Sequence, residues 1–190
     1  MLNKRKTRKH ISVYRHDEYN SNDGMLTTVW GPGMWHYLHT MSFNYPVEPT
    51  CADKRHYSSF VLNLQHVLPC GKCRKNLVKN FKKHPLKWEH MKSRETFSRY
   101  VYALHEVINR MLHKRSGLSY EDVKERYEHF RARCAQSLKR RHTQRKKHRV
   151  SEKGCTEPLY GEKAKCVLKI VPHDVKCETL QIDKKCIKKR

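Results

Sequence analysis

Acidic residues are scarce in this chain and absent before Asp17. Across 190 residues, 18 Asp and Glu face 42 Lys and Arg, a formal net charge of +24. Long apolar runs are missing as well. None approaches the ~18–20 residues that a membrane-spanning helix requires, so no span is expected. The first sixteen residues carry six Lys and Arg and no apolar centre, so a secretory signal peptide is not expected either. Glycine and proline are few, seven of each. Against these shortages stand eight cysteines, many for a chain read as not secreted. The charge by itself suggests nucleic acid as a partner.

The charge is unevenly placed. Residues 1–16 carry Lys4, Arg5, Lys6, Arg8, Lys9 and Arg15, and residues 131–153 carry ten bases against Glu152 alone. Residues 17–130 hold seventeen bases against twelve acids, together with all three Trp and all five Phe. Residues 131–153 offer too little apolar surface to offset the entropy of ordering them, and they read as a solvated helix extension or a disordered stretch. The organisation expected is a basic arm (1–24), one domain (25–134) and a basic, cysteine-containing tail (135–190).

Helical periodicity fills the middle, and alternating strand patterns are absent from it. Met34, Trp35, Leu38, His39 and Met41 follow Gly31-Pro32 at helical spacing, with Pro32 at a first-turn position. Asp53 is expected to cap a second helix with the face Tyr57, Phe60, Val61, Leu64, Val67 and Leu68, ended by Pro69. A third runs from near Cys70 to His84-Pro85 through Leu77 and Phe81. A fourth, capped by Ser93 and closed by Gly117, carries Phe97, Tyr100, Val101, Leu104, Ile108 and Leu112. Ser119 opens a short fifth with Val123, Tyr127 and Phe130. The fold class expected is all-α, a four-helix bundle plus a short fifth helix.

Cys70-Gly71-Lys72-Cys73 carries the most definite chemistry. Unpaired N–H groups at a helix start favour a thiolate, and Lys72, Arg74 and Lys75 add positive potential. Cysteines at i and i+3 close a disulfide suited to thiol–disulfide exchange. A second reading counts Cys70, Cys73, His84 and His90 as zinc ligands of a basic nucleic-acid-binding module, since C-x2-C-x10-H-x5-H approaches finger spacing. Against it, Leu77 and Phe81 continue a helix where a finger places a strand and turn, and Pro85 separates the two histidines. The strand–helix alternation of a thioredoxin-like fold is missing.

Trp30-Gly31-Pro32-Gly33-Met34-Trp35-His36-Tyr37-Leu38-His39-Thr40 resembles the opening helix of the Erv/ALR FAD-linked sulfhydryl oxidases, most of all members encoded by large DNA viruses. Asn44-Tyr45-Pro46, Pro69-Cys70-Gly71-Lys72-Cys73, His105 to Lys114 and Val123 to Tyr127 resemble further family segments in the same order. The resemblance covers roughly residues 28–134. It implies that the helices enclose FAD and that protein dithiols are oxidised while electrons pass to O2, giving H2O2. By the same resemblance Cys70 is the outer sulfur that thiols attack and Cys73 the flavin-proximal one. Gly31, Trp35, His39, His105, Asn109, Lys114, Arg126 and Tyr127 would bind the cofactor. His105, Asn109 and Leu112 share one helix face on spacing alone.

The chain departs from the family at three places. Glu106 stands where the family has a second Asn. A staple between the third and fourth helices would fall near Lys82 and at Tyr102, neither of them Cys. A subunit-linking cysteine corresponds to Cys134, but its partner position near Asp23 holds none, so a family-style homodimer has to be non-covalent.

Cys155, Cys166, Cys177 and Cys186 in the tail are read as a shuttle pair for the CxxC, a disulfide-stabilised appendage, or metal ligands, the last against the lack of any two-residue spacing. Val167–Val171 and Val175 are apolar enough for marginal strands there. Cys51, after Pro49-Thr50, is expected as a free thiol in a loop. The basic clusters imply nonspecific polyanion contact or nuclear import, and the viral likeness implies host cytoplasm or virion.

Overall fold

The structure, a computed structural model, describes residues 13–133, 157–178 and 180–187. The basic cluster at Lys4–Lys9, most of the 131–153 stretch, Cys134 and Cys155 lie outside the described residues.

Six α-helices occur among the described residues: α1 (His16–Tyr19), α2 (Thr27–Phe43), α3 (Cys51–Val67), α4 (Gly71–Lys83), α5 (Arg94–Met111) and α6 (Tyr120–Glu128). Helices α2 to α5 are the expected four and α6 the short fifth. The sequence reading did not include α1, a polar single turn whose Glu18 Oε2 accepts from the Arg15 N–H at 2.7 Å.

Helices α3 to α6 each start at a side-chain cap. Ser93 and Ser119 accept from the N–H groups of Thr96 and Asp122 and open α5 and α6, as expected. For α3 the cap is Thr50, not Asp53. Asp53 sits three residues in and accepts from the Thr50 N–H at 2.8 Å, closing a reciprocal capping box. Cys51 is therefore the first residue of a helix and not part of a loop; it is exposed and unpaired.

Two boundaries differ from expectation. Helix α2 begins at Thr27, four residues before Gly31, so Pro32 lies inside it. The chain is pinned just upstream: Met25 N–H donates to the Pro69 carbonyl at 2.7 Å, and Trp30 Nε1 donates to the Met25 carbonyl at 3.1 Å. Helix α5 ends well before Gly117. His113, at φ 55°, takes the left-handed position; its N–H donates to the Arg110 carbonyl and that of Lys114 to the Asn109 carbonyl. Those two bonds form a Schellman motif with His where Gly is usual.

The core lies between α2, α3, α4 and α5. Tyr45, Met91 and Phe97 have no exposed surface, and Val61 and Val101 expose 1% each. On α3, Val61 and Leu64 point inward, whereas Phe60 and Val67 are exposed and do not belong to the core face assigned to them. Tyr45 ties three elements together. Its hydroxyl donates to the Met91 carbonyl at 3.0 Å, and its carbonyl accepts from Arg94 Nε at 2.6 Å. Packing and polar contacts stand in for the missing staple: His84 and Tyr100 stack at 4.9 Å, and the Tyr100 hydroxyl donates to the His84 carbonyl at 3.1 Å.

The tail returns to the helical body. Strand β1 (Ala132–Arg133) pairs antiparallel with β2 (Glu157–Pro158), and Leu159 N–H extends the pairing to the Arg131 carbonyl. The expected strands at 167–171 and 175 do not form; Val167, Leu168, Ile170 and Val175 are exposed and have no neighbouring strand to pair with. Gly161, at φ 67°, lies so close to Lys185 and Cys186 that a Cβ would meet the Lys185 carbonyl at 2.5 Å. Among the described residues no helix is long and apolar enough to cross a membrane.

Candidate active site

Cys70 is the N-cap of α4 and is joined to Cys73 by a disulfide. Its Sγ accepts from the Cys73 N–H at 3.2 Å, a bond open to it because the first turn of a helix has no internal acceptor. Cys73 packs against the hydrophobic core, and Cys70 stands outside that cluster. Both residues are half-buried, and what separates them is the side they pack on: Cys73 touches the core cluster and Cys70 does not. Arg74 holds the corner from below, donating to the Leu68 carbonyl at 2.5 Å.

Helix α2 connects this pair to an aromatic cluster. Thr27, Gly31, Trp35, His39 and Phe43 recur every fourth residue, a stripe rising ~24 Å along the helix. At one end Thr27 Oγ1 lies 3.4 Å from Cys73 Sγ. Further along, Trp35 stacks on His105 of α5 with ring centroids 3.8 Å apart and planes 6° from parallel. His39, 3% exposed, shares a hydrogen bond between its Nε2 and His105 Nδ1 at 3.0 Å. Tyr127 of α6 completes the cluster, its ring 5.2 Å from His39 and 5.5 Å from Phe43.

Burial fixes the charge state here. Burial first, then His105 and His36, bring the His39 pKa down to about 3. Burial also brings that of His105 down to about 4, with Glu106 opposing. Both imidazoles are neutral near pH 7, which lets one donate to the other. Tyr127 is pushed up to about 12 by burial, so its phenol stays protonated.

The structure brings Gly31, Trp35, His39, His105 and Tyr127 along one face. Asn109 is close by, its Nδ2 donating to Glu106 Oε1 at 2.9 Å. The departure at Glu106 thus turns onto its own helix neighbour. Arg126 is half-buried beside Tyr127. Lys114 stands exposed past the end of α5, and the structure does not bring it to the cluster. Sequence reasoning gave His36 no role, though its ring packs on Tyr127 at 5.5 Å and Phe130 at 5.6 Å. The available signal was His36 and His39 at i and i+3.

The zinc reading fails on the geometry. Cys70 and Cys73 are bonded to one another, and among the described residues no cluster of three or more His, Cys, Asp or Glu is arranged to hold a metal. His84 and His90 pack instead around Tyr100, with ring centroids 4.9 and 4.8 Å from it. Cys166, Cys177 and Cys186 are unpaired.

A flat, partly apolar cofactor suits the face. His36 Nδ1 and His39 Nδ1 are buried without a hydrogen-bond partner, which is costly unless a ligand supplies one. Gly31 is buried, yet a Cβ there would meet only the Thr27 methyl at 3.6 Å, so the protein itself does not demand glycine.

A family model described as the Erv1 / Alr family matches residues 32–128. A probable FAD-linked sulfhydryl oxidase of Acanthamoeba polyphaga mimivirus is 38% identical over 85 residues, 45% of this chain and 59% of that protein. An FAD-linked sulfhydryl oxidase of African swine fever virus is 29% identical over 99 residues, 52% of this chain and 80% of that protein. The chain thus spans less than two thirds of the first relative's length. The crystal structure of the yeast Erv1 core superposes with a TM-score of 0.50 at 23% identity. It covers 64% of this chain and 96% of that one, and shows the likeness of the fold.

Proposed function

The chain belongs to the Erv1/Alr family, and we propose that it is an FAD-dependent thiol oxidase that makes disulfides in protein substrates. The observation carrying this reading is the disulfide at the start of α4, with its inner sulfur against the core and joined through α2 to the Trp35–His105 stack.

A substrate thiolate attacks Cys70, the sulfur outside the core cluster, and the bond between Cys70 and Cys73 opens. The free N–H groups of the first turn of α4 and the charges of Lys72, Arg74 and Lys75 favour the thiolates that result. Gly31, Trp35, His36, His39, His105, Asn109 and Tyr127 would hold FAD, with Arg126 at its edge. FAD bound there would take the electron pair of the dithiol and pass it to O2, giving H2O2. Neutral His39 and His105 keep positive charge out of the stack, the protonated Tyr127 keeps negative charge out, and His39 Nδ1 is left free to hydrogen-bond.

The domain would span 25–134. The tail would act as the substrate-facing part, with two of Cys155, Cys166, Cys177 and Cys186 relaying electrons to Cys70 at raised effective concentration. A non-covalent homodimer, a place in the host cytoplasm or virion, and polyanion contact or nuclear import through the basic arms complete the proposal. Exposed Tyr37 and Phe60, side by side on α2 and α3, fit a face between copies.

Oxygen consumption by the purified chain with dithiothreitol tests the activity; a chain that consumes no oxygen contradicts it. Truncation after residue 134 tests the relay. Turnover of a protein dithiol should fall several-fold, with turnover of dithiothreitol unchanged. Equal turnover of the protein substrate would remove the tail from the mechanism.

A further inference from the structure

Each sulfur of the disulfide has its own hydrogen-bond partner, and the two differ in kind. Cys70 Sγ receives the Cys73 backbone N–H at 3.2 Å, and Cys73 Sγ faces the Thr27 hydroxyl at 3.4 Å. Thr27 comes from a different part of the chain, 46 residues away, and its place is fixed on both sides. Met25 N–H is bonded to the Pro69 carbonyl, and Trp30 Nε1 to the Met25 carbonyl. Upstream, Gly24 lies so close to the corner that a Cβ would meet Cys70 Cα and the Pro69 carbonyl oxygen at 3.1 Å. Residues 24–27 therefore form a strap across the corner that carries the disulfide, with Thr27 over its inner sulfur.

We propose that Thr27 is a catalytic residue that stabilises Cys73 as the leaving thiolate and so fixes Cys70 as the sulfur attacked. In that step a substrate thiolate forms a bond to Cys70 Sγ and the Cys70–Cys73 bond breaks. The bonding electron pair and its negative charge go to Cys73 Sγ, where the Thr27 hydroxyl donates to it. Thiol–disulfide exchange runs faster through the leaving group of lower pKa, and attack on the other sulfur would expel Cys70, which keeps the Cys73 N–H but lacks the Thr27 hydroxyl. The inference depends for its biological meaning on the oxidase reading above, but its test reads the sulfurs alone.

In the full chain carrying Cys70→Ser, the pH dependence of Cys73 alkylation by iodoacetamide is followed by peptide mapping. Thr27→Val should raise the midpoint by roughly 0.5 to 1 pH unit, a roughly three- to tenfold smaller thiolate fraction at neutral pH, and Thr27→Ser should restore it. With both cysteines present, brief exposure to glutathione and trapping of free thiols should find glutathione on Cys70, and Thr27→Val should move a share of it to Cys73. A midpoint that Thr27→Val leaves unchanged, a shift that Thr27→Ser fails to reverse, or an unaltered distribution of glutathione would overturn the proposal. None of these readouts requires oxygen consumption, so failure of the oxidase reading is seen separately.

Discussion

Cys70→Ser and Cys73→Ser each lower oxygen consumption on dithiothreitol by roughly two orders of magnitude or more, because the two sulfurs act as one unit. Electrons leave a substrate dithiol as a pair, and accepting that pair takes a disulfide. Without Cys73 there is no bond to open and no inner sulfur to carry charge into the core-facing side. Without Cys70 the remaining sulfur, which packs against the core cluster, has no partner with which to form the bond that a dithiol reduces. Neither sulfur belongs to the stack of Trp35, His39 and His105, so both variants should keep their flavin. Loss of flavin together with activity would mean that the cysteines hold the cofactor site together. Full activity in either variant would remove the CxxC from the reaction.

Acid destabilises the fold across a window set by buried histidine. His39 and His105 have folded pKa values of about 3 and about 4, below the ordinary 6.5. Burial lowers His84 and His90 in the same direction. Below pH 6.5 the unfolded chain takes up protons that the folded chain refuses, so stability is complete above that pH and falls as pH drops toward 4. The two site histidines together should cost roughly 2 to 5 kcal/mol between pH 7 and pH 4.5. Asp122 has its pKa lowered by hydrogen bonds from Ser119 and adds a loss of the same sign at still lower pH. Urea unfolding at a series of pH values measures the slope. His39→Gln, which removes one titrating group, should take away roughly half of the two site histidines' share of it, and a flat profile from pH 7 to 4.5 would show that these histidines are not held neutral.

Local chemistry made much of this legible beforehand. Ser93, Cys70 and Ser119 mark helix starts because a short polar side chain can reach the free N–H groups of the first turn, and spacing carried Leu77, Phe81, Val101 and Leu104 to the core. His105 and Asn109 share a face because the helix repeats that way. What escaped depends on contacts between distant segments. Pro32 entered the helix interior because Met25 is pinned to Pro69, which no window around Pro32 reveals. His113 took the left-handed turn ahead of Gly117. Phe60 and Val67 fit an apolar face that α3 does not turn inward. Thr27 on Cys73 and the orphan nitrogen of His36 are tertiary facts with no local signature. In the tail, apolar runs at 167–171 lacked a partner strand, while the pairing that formed uses Ala132–Arg133 and Glu157–Pro158, which carry no strand pattern.

One FAD on the α2–α5 face would receive electrons from the Cys70–Cys73 pair. Anaerobic titration of the purified chain with dithiothreitol, followed by its visible absorbance, tests it most directly. The expected result is a yellow protein that releases one FAD per chain on denaturation. The dithiol should bleach its flavin band, oxygen should restore it, and Cys73→Ser should hold it unbleached. A colourless chain, or a flavin that dithiothreitol bleaches equally well without Cys73, would contradict it.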